Sequence, residues 1–148
     1  MSEVDNELYF GMDEGLNMGD MSEMLREVGL RPTKQRLLIA DFLFSGDDMH
    51  VTADTLYSTL LDSNINISLA TIYNVLNVFT FHGLLREISI DSSRSYFDTN
   101  IKKHYHYYFE KTGKLEDIDK EDLNITPLPQ NKDGFDIKSI DIVIRVEG

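Results

Sequence analysis

The sequence predicts an α+β fold in which short helices come first and strands follow. Across residues 21–82, apolar side chains recur with the spacing of three or four short amphipathic helices. From residue 84 onward the spacing changes to the alternation that is typical of strands. We therefore expect a helical half followed by a half built around small sheets.

Each predicted helix carries a start signal or a stop signal. Proline suits a first turn, threonine and serine suit the N-cap, and glycine suits the position after the last turn. In chain order these signals give a helix from about Met21 to Gly29, a helix from Pro32 to Gly46, a helix capped by Thr52, and a helix from the N-cap Ser68 to Gly83.

Two short strands follow the fourth helix. The segments LLREISI and SYFDT alternate in polarity and are separated by the turn DSSR. Helices followed by a two-stranded hairpin are the pattern of a winged helix-turn-helix, in which the helix before the hairpin enters the major groove of DNA. A generic small α+β domain would show the same pattern and remains the alternative.

The last third of the chain predicts a three-stranded sheet. HYHYYFEKTGKLEDI suggests a hairpin around Thr112–Gly113, NITPLPQNKDG a proline-bearing loop, and KSIDIVIRVE a final strand. Three strands make too small a core to stand alone, so we expect a homodimer. The predicted domains are an acidic flexible tail (1–20), a winged-helix DNA-binding domain (21–99), and a small αβ domain for dimerisation and ligand sensing (100–148).

The charge distribution leaves room for a nucleic-acid partner. The net charge is −12, but residues 1–24 alone carry seven acids and no base. The segment from Ser63 to Arg86 contains no acid, so a neutral or positive face can exist on an acidic protein. No apolar run is long enough for a membrane span and no secretory leader is readable, so we expect a cytoplasmic protein.

The chain has no cysteine, which excludes disulfides, thiolate zinc sites and cysteine nucleophiles. A metal would have to be held by imidazole, carboxylate or main-chain oxygen. His104 and His106 lie two apart on a predicted strand and therefore project from one face, together with Tyr108. The other face would carry the aromatic core: Tyr105, Tyr107 and Phe109.

Two histidines do not complete a metal site, and His50 and Asp98 are the candidates for further ligands; each could also be an ordinary surface or capping residue. Two histidines and a carboxylate resemble the facial triad of non-haem iron oxygenases. That chemistry needs a closed β scaffold, which the sequence does not predict. No phosphate loop or serine elbow is present either, so we do not expect an enzyme.

Five collinear segments resemble the ferric uptake regulator (Fur) superfamily of dimeric, metal-responsive, DNA-binding repressors. They are GLRPTKQRLLIADFL, HVTADTLY, NISLATIYNVLNVF, HGLLREI and SYFDTN. Within it the sequence is most similar to the iron response regulator (Irr) branch, on the segments SLATIYNVLN, FDTN and HYHYYF. Membership of that branch implies control of iron and haem genes and a response to haem.

The resemblance implies a regulatory site for a divalent metal (Fe, Mn or Zn) at His50, Asp98, His104 and His106. It also implies that haem, if bound, uses His104 and His106. Superfamily members commonly hold a structural zinc with C-x-x-C after the histidine strand. Phe109 and Thr112 stand at those positions here, so no structural cysteine zinc is expected.

For DNA, the resemblance points to Tyr73 against thymine methyl groups and to Arg31 in the minor groove of an A·T-rich operator. Ser68, Thr71 and Asn74 would lie early in the recognition helix, within reach of base edges or phosphates. Two other functions stay open: a Fur-type repressor with a divalent metal as co-repressor, and a haem- or metal-binding protein with no direct DNA role.

Overall fold

The computed structural model describes residues 18–119, 121–125, 129 and 131–148. They form two compact units, with the boundary between Ile101 and Lys102. Most of the predicted acidic tail lies outside the described residues. Its last three positions, 18–20, belong instead to the first turn of a helix. Among the described residues, no helix is long and apolar enough to cross a membrane.

The first unit contains the four predicted helices. Their bounds are α1 Met18–Glu27, α2 Lys34–Phe44, α3 Ala53–Asp62 and α4 Leu69–Phe81. Thr52 and Ser68 are confirmed as N-caps, since each side chain accepts a hydrogen bond from the main chain three residues on. Helix α2 begins later than predicted, because Thr33 is its N-cap and Pro32, the predicted start, lies before the helix: the Thr33 hydroxyl accepts from Arg36 N.

Glycine ends α1 and α4 in the same way. Gly29 and Gly83 have φ of +83° and +81°. After each, the next residue donates its N–H back into the helix, from Leu30 N to Leu25 O and from Leu84 N to Phe79 O, at 2.8 and 2.9 Å. A Cβ at either glycine would meet nothing within 4 Å, so the left-handed backbone is what selects glycine there.

One hydrophobic core holds the first unit together. In α4, the helical spacing of apolar residues predicts a stripe of Leu69, Ile72, Val75, Leu76 and Phe79; the last four are buried and Leu69 is half-buried. They pack with buried residues from the other helices and from the sheet, among them Leu25, Leu37, Ile39, Leu43, Leu56 and Phe97. The core fixes the rotation of α4 about its axis and therefore decides which α4 residues face outward.

The sheet of the first unit has three strands, not the predicted two. Strands β2 (Arg86–Asp91) and β3 (Arg94–Asp98) form the hairpin, and β1 (His50–Val51) pairs antiparallel with β3 on its other side. Two residues are too few to show a strand period, so β1 could not be predicted from periodicity. The added strand matters because it places His50 directly opposite Asp98.

The second unit contains the predicted three-stranded sheet, in the order β5-β4-β6. Strands β4 (Tyr105–Phe109) and β5 (Lys114–Ile118) form the hairpin, and β6 (Val143–Val146) runs parallel to β4. Strand β6 is shorter than predicted, and Ile140 and Ile142 precede it. Of the proline-bearing loop, residues 126–128 and 130 lie outside the described residues.

The faces of β4 differ from the prediction. His106 and Tyr108 are only 2% exposed, whereas the predicted core residues Tyr105, Tyr107 and Phe109 are half-buried. The alternation correctly separates two sets of side chains. It does not say which set is covered, because that depends on what packs against each face.

Candidate metal centre and nucleic-acid interface

Three potential ligands converge on one face of the second unit's sheet. The Nε2 atoms of His104 and His106 each lie 3.2 Å from Oδ1 of Asp117, and the two imidazole rings are 4.5 Å apart between centroids. The antiparallel register pairs His106 with Asp117, which brings the carboxylate across from the histidines. One ligand atom from each of the three lies within 4.8 Å of the others.

These separations match those of ligands around a metal ion. An ion about 2.1 Å from two ligand atoms holds them about 3.0 Å apart in octahedral geometry and about 3.4 Å apart in tetrahedral geometry. The observed 3.2 Å between imidazole nitrogen and carboxylate oxygen lies between these values. The two nitrogen–oxygen separations are therefore compatible with a shared metal ion, as they are with hydrogen bonds to the carboxylate.

The orientation of His104 suits the same role. Its Nδ1 donates a hydrogen bond to the carbonyl oxygen of Lys102, which leaves Nε2 as the ring nitrogen directed at Asp117. A histidine that binds a metal through one ring nitrogen commonly donates a hydrogen bond from the other, and His104 has that arrangement.

A second pair of candidate ligands lies in the first unit. Nε2 of His50 is 3.2 Å from Oδ2 of Asp98, whose side chain is almost fully buried at 1% exposure. The other carboxylate oxygen of Asp98 accepts a hydrogen bond from Asn100 N at 2.8 Å. Burying a carboxylate is costly unless its oxygens are satisfied, and here each oxygen has a partner.

The four predicted ligands thus form two pairs, one in each unit. Sequence reasoning missed Asp117. The signal was available: once a hairpin is placed around Thr112–Gly113, its register puts residue 117 opposite residue 106. Of the four histidines, His82 is placed elsewhere, at the C-cap of α4, with Nδ1 2.9 Å from the carbonyl oxygen of Val28.

The predicted DNA-binding residues of α4 lie at its outer side and at its start. Tyr73 is 43% exposed and Asn74 is exposed, on the side of the helix away from the buried stripe. Ser68 caps the helix: its Oγ accepts from Thr71 N at 3.2 Å and donates to Thr71 Oγ1 at 2.9 Å. Tyr73 therefore does not serve core packing in this unit, and the two hydroxyls also stabilise the helix start.

Arg31 lies in the turn before α2 and is exposed. Its carbonyl oxygen accepts a hydrogen bond of 2.9 Å from Nη1 of Arg36. Arg31, Tyr73 and Asn74 thus offer exposed side chains within the first unit, in a helix-turn-helix setting with a wing. Such a setting is that of a class of DNA-binding transcription regulators, and the clustered histidines and aspartates are side chains that could hold a metal ion.

The sequence profile of the Ferric uptake regulator family matches residues 27–145, and the chain belongs to that family. It is accordingly a transcription regulator and not an enzyme, as the sequence predicted.

Among known relatives, the chain is 42% identical over 114 residues to the peroxide-responsive repressor PerR of Staphylococcus aureus strain Mu50, which covers 76% of each protein. Among solved structures, it is similar to the ferric uptake regulator of Pseudomonas aeruginosa with manganese, with a TM-score of 0.64 at 25% identity, covering 86% of this chain and 97% of that one. It is also similar to the peroxide stress regulator of Campylobacter jejuni, with a TM-score of 0.59 at 27% identity, covering 85% and 94%.

Proposed function

We propose that this chain is a dimeric, DNA-binding repressor whose affinity for its operator depends on a divalent metal bound by His104, His106 and Asp117. The convergence of two imidazole nitrogens on one carboxylate oxygen, each at 3.2 Å, is the observation that carries this proposal. Imidazole and carboxylate together suit Fe, Mn or Zn, and the absence of thiolates removes the softest alternatives.

His50 and Asp98 belong to the same coordination sphere in this proposal, as the resemblance implies. Their 3.2 Å separation equals that of the second unit's ligands, and by themselves they are too few for a stable site. An ion with ligands from both units would favour one arrangement of the DNA-binding unit over others. Ligand binding would then shift a conformational equilibrium, as a sensor requires.

Iron would add a response to peroxide. Ferrous iron held by these five protein ligands would keep one position open, at which hydrogen peroxide could bind and react. The Staphylococcus aureus relative is named as peroxide-responsive, which supports this extension. The iron-loaded protein is then expected to lose operator binding when hydrogen peroxide is added, while the manganese-loaded protein keeps it.

The DNA-binding role is assigned to the first unit. Tyr73 would contact thymine methyl groups in the major groove, with Ser68, Thr71 and Asn74 near bases or phosphates. Arg31 would enter the minor groove of an A·T-rich operator. A dimer presents two such units, which matches a two-fold symmetric operator. A cytoplasmic location is part of the same proposal.

A haem-responsive regulator of the Irr branch is the second candidate, and its support is the resemblance together with the cysteine-free histidine pair. The geometry favours a metal ion over haem. Haem iron takes its axial ligands on opposite faces of the macrocycle, whereas His104 and His106 direct both Nε2 atoms at the same carboxylate oxygen. Both side chains are also largely buried, which leaves little room for a macrocycle.

Operator binding, measured by fluorescence anisotropy, separates these functions. The protein is titrated with its operator after chelation, with added Mn²⁺, with Fe²⁺ followed by hydrogen peroxide, and with haem. Binding that requires added metal supports the proposed repressor, and a loss of binding only in the iron and peroxide sample supports the peroxide response. Binding that survives chelation but falls with haem supports the Irr reading. No binding under any condition supports a metal- or haem-binding protein without a direct DNA role.

Two variants test the ligands separately. His104→Ala combined with His106→Ala should abolish Mn²⁺ binding, and an unchanged haem Soret shift in this variant would exclude both residues as haem ligands. His50→Ala should weaken Mn²⁺ binding without abolishing it. If His50→Ala binds Mn²⁺ like the wild type, the shared coordination sphere is refuted, while the site in the second unit stands.

A further inference from the structure

The turn between α1 and α2 is held by hydrogen bonds on both sides of one exposed arginine. Before Arg31, Leu30 is buried and donates its N–H to Leu25 O at 2.8 Å. After it, Pro32 has its φ fixed by the pyrrolidine ring, and Thr33 caps α2. The carbonyl of Arg31 itself accepts the hydrogen bond from Arg36 Nη1 at 2.9 Å. The main chain of Arg31 is therefore fixed on both sides.

Arg36 is suited to this contact by its place in α2. It lies in the first turn, where its N–H donates to the capping hydroxyl of Thr33 at 3.3 Å. From there its side chain, which is half-buried, reaches back five residues to the carbonyl of Arg31. A guanidinium carries five N–H donors in a rigid fork, so one of them can hold a carbonyl in a defined direction.

The local positive charge of this turn favours contact with DNA phosphates. Residues 28–40 contain three basic residues and no acidic residue, in a chain whose net charge is −12. The three basic residues are Arg31, Lys34 and Arg36. Their positive charge attracts this surface, with the exposed Arg31, towards DNA.

We propose that Arg36 is a positioning residue for DNA recognition: by holding the carbonyl of Arg31, it orients the Arg31 side chain for entry into the minor groove. This inference rests on the proposed DNA-binding function. Arg36 acts through Arg31 and has no base contact of its own. In the free protein, this hydrogen bond already restricts the backbone of Arg31. DNA binding then has less conformational entropy to remove, and such preorganisation strengthens binding.

The expected effect is measurable. Fixing the backbone of one residue is worth a factor of about 5 to 30 in an equilibrium constant. Because Leu30 and Pro32 still hold the turn in Arg36→Ala, only part of this factor is lost, and operator binding should weaken about fivefold while the midpoint of thermal unfolding stays close to that of the wild type. Arg36→Lys keeps the charge and a donor of similar reach and should restore most of the affinity.

A double-mutant cycle separates positioning from direct contact. Operator affinity is measured for the wild type, Arg31→Ala, Arg36→Ala and the double variant. Arg26→Ala is the control, because it removes the positive charge of another exposed arginine, in α1. If Arg36 acts through Arg31, Arg36→Ala changes affinity by less than about twofold once Arg31 is already alanine. Arg26→Ala should change affinity little.

Two results would overturn the inference. Additive losses would show that Arg36 contacts DNA by itself, and a wild-type affinity in Arg36→Ala would show that the hydrogen bond is irrelevant to binding. Should Arg36→Ala fail to fold, Arg36→Gln takes its place in the cycle, because its amide has a shorter reach. Failure of the wild type to bind any operator, by contrast, refutes the proposed function and not the positioning role alone.

Discussion

Replacing Asp117 by asparagine tests the candidate metal centre most directly. The change keeps the shape of the side chain but removes the negative charge of the oxygen that lies 3.2 Å from both imidazole nitrogens. Loss of an outer-sphere partner typically costs a metal site about 10- to 100-fold in affinity. Because Asp117 is placed as a ligand, we expect its loss to weaken Mn²⁺ binding by about 100-fold or more.

That loss can be measured as stabilisation by the metal. At a Mn²⁺ concentration of about 100 times the wild-type Kd, binding stabilises the folded protein by about 2.7 kcal/mol. A variant with a 100-fold weaker site would gain only about 0.4 kcal/mol at the same concentration. Chemical denaturation with and without Mn²⁺ gives both values, and calorimetric titration gives the Kd independently.

Glu116→Gln is the matched control. Glu116 is the neighbouring carboxylate on β5, it faces the other side of the sheet, and its partner is Lys114 at 2.7 Å. Removing its charge should leave the stabilisation by Mn²⁺ unchanged. Equal losses in the two variants would mean that only overall charge matters, and full stabilisation of Asp117→Asn would remove Asp117 from the site.

Three further predictions concern the first unit. Tyr73→Ala should weaken specific operator binding more than non-specific DNA binding, because the Tyr73 side chain lies outside the core. Phe81→Ala, at the exposed end of the same helix, is the control. Equal losses of affinity for operator and non-specific DNA would refute a base contact by Tyr73. Ser68→Ala removes the cap of α4 and should lower the free energy of unfolding by about 1 kcal/mol, measured by urea denaturation; an unchanged midpoint would contradict the cap. Hydrogen bonds from Ser93, first from its main-chain N–H and then from its hydroxyl, lower the pKa of Asp91 below its ordinary value of 3.8. The ionised carboxylate therefore stabilises the folded state at pH values above its unfolded pKa. This stabilisation is lost as the pH falls through the folded pKa. The stability difference between wild type and Asp91→Asn should therefore shrink below about pH 4, and a difference independent of pH would refute it.

Much of the fold could be predicted from local signals. Caps and left-handed glycines act through their own few residues, so Thr52, Ser68, Gly29 and Gly83 were identified correctly without any tertiary information. The buried stripe of α4 likewise follows from helical periodicity. For Tyr73 the sequence left packing against the helix face open, and the structure places its side chain outside the core.

The candidate site could be predicted only in part. Strand periodicity put His104 and His106 on one face, and the missing cysteines made them the foremost ligand candidates. The same reasoning assigned burial to the wrong face of β4, where His106 and Tyr108 are the covered side chains. Asp117 escaped notice because its proximity comes from hairpin register and not from spacing along the chain.

The sequence by itself therefore determined the order of elements, their caps, the family and the kinds of ligand atoms available. Each of these depends on residues near one another in the chain or on composition. Only the tertiary structure decided that two-residue strand β1 pairs His50 with Asp98, that Asp117 joins the two histidines, and that Arg36 holds the carbonyl of Arg31. Strand pairing and side-chain reach set these contacts, and the free energies that select them come from packing across the whole unit.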